Sequence, residues 1–124
     1  MIGRTPEEVR ARVPGAREAY AQTRATVLRA GLVPRDLKEL CARYLAEDDA
    51  AMDVASFAGR ERAALEWTHA VAWDDARADD EPWTRLHAHF SEPELVELGY
   101  FIAFTLGQTH WLRTLGLRHD PERP

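Results

Sequence analysis

No stretch of this chain alternates apolar and polar residues; its apolar positions recur every three or four residues instead. That interval is the repeat of one helical face, whereas a half-buried strand needs a repeat of two. Most prolines and glycines fall between the periodic segments, where they punctuate helices. The expected fold is therefore all-α, an orthogonal or bundled array of about five to six helices. A chain of 124 residues has room for one domain. Its 45% apolar content supports a modest core. A core of that size leaves apolar surface accessible, which favours burial against a second copy, so a homo-oligomer is expected.

Individual helices can be placed from their caps. Thr5-Pro6-Glu7-Glu8 reads as a helix start, with a capping threonine, proline at the first helical position and Glu8 completing a capping box. Pro14-Gly15 ends that short helix. A second spans about Ala16 to Ala30, with Tyr20, Thr23 and Val27 on one stripe and Gly31 as its stop. A third begins at Pro34, and its Leu37, Leu40, Cys41 and Tyr44 form one buried face. Between Ala46 and Ser56 the pattern dissolves into a loop with room for one helical turn. Phe57 and Gly59 lead into a helix ending near Trp73, apolar on two sides and so expected to lie between neighbours. An acidic loop, Asp74 to Asp80, precedes a short helix opened by Pro82, with Trp83, Leu86, His87 and Phe90 on one face.

Ser91 and Glu94 make a second capping box, starting a helix from about Glu92 to Leu115. Leu98 to Leu106 is apolar nearly all round, so this long C-terminal helix is expected to be central and buried. Gly99, Ala103 and Gly107 form a small-residue stripe that lets another helix, of this chain or a second copy, approach closely. After Gly116 the tail, 117–124, is expected to fray.

Composition removes several functions. Sixteen basic residues against 21 acidic give a net charge of −5, with no basic tract, so a nucleic-acid partner is not expected. The longest apolar stretch, Leu95 to Leu106, is shorter than the ~20 residues of a membrane span, and Met1 to Arg12 lacks the apolar centre of a signal peptide. A single cysteine, Cys41, excludes an intrachain disulfide and suits a reducing compartment; the expected location is cytoplasmic.

Three segments, in order between about residues 32 and 116, carry a family likeness. They are Leu37-Lys38-Glu39-Leu40, then Phe57 with Arg60-Glu61-Arg62-Ala63-Ala64-Leu65-Glu66-Trp67, then His89-Phe90-Ser91-Glu92-Pro93-Glu94-Leu95-Val96-Glu97-Leu98. Together they resemble helices of the carboxymuconolactone decarboxylase and alkylhydroperoxidase-D-like superfamily. The resemblance implies that Glu39 stands where the peroxidase branch has a glutamate. It also implies that Ala51, Val54 and Ala58 stand near that branch's Cys-x-x-Cys and histidine. None of these can do thiol chemistry, and Cys41, on a buried stripe, is no substitute. Disulfide-cycling peroxidase activity is expected to be absent. The decarboxylase branch does not use the thiol pair, so its chemistry stays open.

The remaining candidates are polar residues in apolar helices. Glu66 and His69 have the Glu-x-x-His spacing of di-iron bundles, but no second copy exists, so no metal is expected. His87 and His89 point to nearly opposite sides of a helix and cannot share a metal there. No cofactor is expected. Gln108, Thr109 and His110 interrupt the most apolar helix, as groups lining a pocket or subunit seam would. With Tyr44, Trp73 and Trp111 they form a candidate small-molecule site, and Glu39, His69 and His110 are its candidate acid/base groups. Two readings follow: a small organic ligand bound or processed by non-redox acid/base chemistry near the last helix, or a non-enzymatic oligomeric scaffold.

Overall fold

The computed structural model describes residues 5–29, 31–46, 52–74 and 81–121, and within them every regular element is helical. α1 spans Pro6–Arg10, α2 Pro14–Thr23, α3 Arg35–Ala46, α4 Gly59–Trp73, α5 Glu81–His89 and α6 Glu92–Thr114. α2 runs into a π-helical turn, Arg24–Leu28, and a 3-10 turn at Val54–Ser56 precedes α4. The acidic loop expected at Asp74 to Asp80 lies mostly outside the described residues.

Local signals explain most boundaries. The Ser91 hydroxyl accepts from the Glu94 amide, and the Glu94 carboxylate accepts from the Ser91 amide at 2.8 Å, closing a full capping box on α6. At α1 the Thr5 hydroxyl accepts from the Glu8 amide at 3.1 Å and also donates to the Glu8 carboxylate. The reciprocal arm expected there is replaced by that hydroxyl contact. The second helix begins at Pro14 rather than Ala16, because proline's fixed φ suits a first helical position. Gly31, the expected stop, has φ +120°.

The core is built around α4, which packs on α3, α5 and α6, while α3 also packs on α6. Ala63 and Ala64 are fully buried and small enough to let the neighbouring helices close in around Leu45, Leu65, Leu98 and Ile102. Leu37, Leu40, Cys41 and Tyr44 are all buried, as the spacing on α3 predicts.

One charged pair ties this core together. Lys38 on α3 is 1% exposed; its ammonium donates to the Val27 carbonyl at 2.5 Å and sits 3.1 Å from the Glu97 carboxylate on α6. Glu97 also accepts the amides of Leu32 and Val33, at 2.9 and 2.7 Å. The carboxylate thus pins the α2–α3 connection to α6.

Three expectations need correction. α6 is not buried all round: Val96 is 72% exposed, Tyr100 53% and Trp111 42%, and Ala103 and Gly107 share that outer side. An apolar stretch has no polar stripe to mark which face meets water. Second, of the face expected on α5 only Leu86 and, just past its end, Phe90 are buried; Trp83 and His87 lie outside, their rings tilted against each other with centroids 4.5 Å apart. Third, the tail does not leave the fold at 117. His119 packs edge-on to Tyr20, and the Pro121 carbonyl accepts from Arg24, so the chain lies back along α2.

Candidate functional site

The best-formed polar constellation lies where the last turns of α3 and α4 meet. Tyr44 comes from the buried stripe of α3, and His69 and Trp73 sit one turn apart on α4. The Tyr44 hydroxyl and His69 Nδ1 are 2.7 Å apart. Trp73 closes the cluster, 5.6 Å from the Tyr44 ring at 71° and 5.4 Å from the His69 ring. These are the edge and tilted geometries that aromatic quadrupoles favour. Burial raises the Tyr44 phenol above its ordinary value, so it stays protonated. The Tyr44 ring is buried while His69 and Trp73 are exposed, so the cluster is anchored inside and open outside.

The end of α6 reaches this region. Arg113 donates to the carbonyl of Ala46, at the end of α3, across 2.6 Å. A cation at that point answers the carbonyls left unpaired at a helix C-terminus.

The other candidates are dispersed. Glu39 is exposed and pairs with Arg35 one turn before it, at 3.4 Å. His110 and Trp111 are exposed on the outer side of α6. Gln108 turns inward, where its carbonyl oxygen accepts from Arg10 Nε and Nη2 at 3.1 and 2.7 Å. The polar break in α6 therefore divides, with Gln108 facing α1, Thr109 buried and His110 facing water. Tyr44, His69 and Trp73 come together; Glu39, Gln108, His110 and Trp111 do not join them.

Glu66 and His69 also diverge. Both Glu66 oxygens accept from Arg85 on α5 at 2.9 Å, whereas His69 turns to Tyr44 on α3. Facing different neighbours, they do not converge on a common ion. Among the described residues no group of three or more His, Cys, Asp or Glu side chains could hold a metal.

Cys41 is fully buried, and burial pushes its thiol up to about 11, against the opposing hydrogen bond to Thr68. At neutral pH it is a thiol with no route to a peroxide, and a nucleophilic cysteine must be an accessible thiolate.

Among the described residues no helix is long and apolar enough to cross a membrane. Reasoning from sequence groups Tyr44, His69 and Trp73 in one candidate site, together with Glu39, Gln108, His110 and Trp111 that lie elsewhere, but misses the direct Tyr44–His69 contact, which no spacing within one helix encodes. It also missed Arg10, Lys38 and Glu97, each a charged residue of ordinary appearance. No family model matches the chain, nor does any curated protein or solved structure.

Proposed function

We propose that this protein is a divergent relative of the carboxymuconolactone decarboxylase-like proteins that binds a small, planar organic molecule against the Trp73–His69–Tyr44 face, with acid/base rather than thiol chemistry. The Tyr44–His69 hydrogen bond carries this reading. It fixes the imidazole beside an exposed indole and leaves Nε2 as the nitrogen outside that bond. With the tyrosine donating to Nδ1, the Nε2 position carries the imidazole proton; with the roles reversed, Nε2 is the base. Trp73 offers a stacking surface. The sequestered Cys41 leaves peroxide cycling without a nucleophile, and a lone buried thiol suits a reducing, cytoplasmic setting.

The test is a panel of planar aromatic and lactone-type compounds read by amide and imidazole chemical shifts. Shifts are expected to centre on residues 44, 69 and 73 and to vanish in Trp73→Ala. Tyr44→Phe should alter the His69 tautomer signal and weaken binding about three- to tenfold, the worth of about one hydrogen bond. Shifts confined to other faces, or none across the panel, would sink the reading.

A second reading has its own support. The outer stripe of α6, with Val96, Tyr100, Ala103, Gly107 and Trp111, follows the three–four spacing of a helix seam. Two antiparallel copies related by an axis beside Ala103 set Tyr100 against Gly107 and Val96 against Trp111, large against small in the middle. The stripe is roughly 22 Å long at 1.5 Å per residue, at the low end of a stable contact, so a weak dimer is expected. Sedimentation velocity over a concentration series should show a micromolar self-association that Tyr100→Glu abolishes. A monomer at ~100 μM would remove the scaffold reading, since dimers of this class form well below that concentration.

A further inference from the structure

Away from the Tyr44–His69 face, α1 and α2 enclose a cleft of about 220 Å3 lined by Glu7, Arg10, Arg17, Tyr20, Ala21 and Arg24. In an acidic protein, this cleft concentrates three guanidinium groups against one lining carboxylate.

Arg10 is the unusual member. It is 4% exposed, and a cation so deeply buried ordinarily has a carboxylate beside it. Here its Nε and Nη2 go to the neutral Gln108 carbonyl, and its guanidinium carbon lies 3.5 Å from the centre of the Tyr20 ring. Its Nη1 is buried with no hydrogen-bond partner. An amide and an aromatic face hold the group in place without neutralising it. Glu7 pairs with Arg17 at 3.7 Å and also offsets part of the Arg10 charge, against the larger penalty of burial.

His119 feels the Arg10 charge as well, with Asp120 acting against it. His119, packed edge-on to Tyr20, has both ring nitrogens buried without hydrogen-bond partners. Burial first, and then the positive charge of Arg10, push it down to about 4. It is neutral at physiological pH, so it adds no charge of its own.

We infer that the α1–α2 cleft is a binding site for a compact oxyanion, a carboxylate or phosphate group carried on a small molecule. The recognition is by Arg10 and Arg17, with Arg24 also lining the cleft. Gln108 acts as a positioning residue that holds the Arg10 fork from behind. The cleft holds about seven waters' worth of liquid volume, less than a drug-sized site, so the ligand is small. Guanidinium forks suit planar or tetrahedral oxyanions, and a charge-assisted hydrogen bond is stronger than a neutral one. This inference is independent of the Tyr44–His69 reading, and either can fail alone.

Titration calorimetry at constant ionic strength, with inorganic phosphate, citrate and benzoate as separate arms, tests it. Saturable 1:1 binding is expected for at least one of them. The arms distinguish phosphate from carboxylate chemistry. Arg17→Gln, at a solvent-exposed position where folding is not at risk, should weaken binding about tenfold. Glu7→Gln removes the competing carboxylate and should tighten it severalfold, an opposite sign that general destabilisation cannot mimic. Absence of saturable binding in all three arms overturns the inference, as does binding that Arg17→Gln and Glu7→Gln leave unchanged.

Discussion

Glu97→Ala is expected to destabilise the protein by about 3–5 kcal/mol, the range for breaking a buried pair from one side. Against a total stability of about 5–15 kcal/mol for an ordinary domain, much of the population would unfold at moderate temperature. Removing the carboxylate takes the Glu97 ion pair from Lys38, which is buried, and leaves two backbone amides of the 31–33 segment without their acceptor. Urea unfolding followed by far-UV circular dichroism measures the loss, and Glu97→Gln, which keeps one acceptor oxygen, should lose less.

The same carboxyl makes the protein acid-sensitive. Burial raises its pKa, but the amides of Val33 and Leu32 and the Lys38 ammonium outweigh that and hold it below 4.5. Its folded form therefore binds a proton less readily than its unfolded form. The stabilisation is complete above the unfolded value near 4.5 and is lost as pH falls through the lower folded value. Stability measured from pH 6 to 3 should fall less steeply in Glu97→Ala than in the native chain. Equal slopes would show that the carboxylate is not held in this way.

Gly31→Ala is expected to cost about 3 kcal/mol although it adds one methyl group, as strained left-handed positions alone cost about 1–3. Two effects combine. At φ +120° an L-residue is strained whatever the space around it. The new Cβ would also collide with the Glu97 carboxylate, whose oxygens and carbon are its nearest neighbours. The carboxylate would have to swing away and surrender the Leu32 and Val33 amides. In a Glu97→Ala background the collision disappears, so the second substitution should cost about 1–2 kcal/mol less there than in the native chain. Simple additivity of the two changes would contradict the contact.

This node bears on how far the chain could be read before its structure. Gly31 is legible as a helix stop because a left-handed residue after a helix is a local requirement that glycine meets best. Ser91 and Glu94 are legible because their partners lie three residues apart. The α3 stripe is legible because burial of one face imposes its own spacing. Lys38 and Glu97 carry no comparable mark. They are 59 positions apart in the numbering (97 − 38), and each looks like a surface charge until α3 and α6 are packed.

The candidate site follows the same rule. Tyr44 and His69 each attract notice as polar groups on largely apolar helices, but their 2.7 Å contact exists only because α3 crosses α4 at their last turns. Gln108 is legible as a polar break in α6, yet its partner, Arg10, lies 98 residues earlier. Arg17, Ala21 and Arg24 do share one helical face through their spacing of four and three, a faint sign of the cleft that composition alone averages away.

Helix positions and ends were therefore determined by the sequence itself, since caps, breakers and apolar spacing act within a few residues along one chain segment. Tertiary structure alone decided which face of α6 meets water and which charges and rings meet one another. The reason is desolvation: a polar group acquires its partner, its shifted protonation and its chemistry only when distant segments exclude water around it.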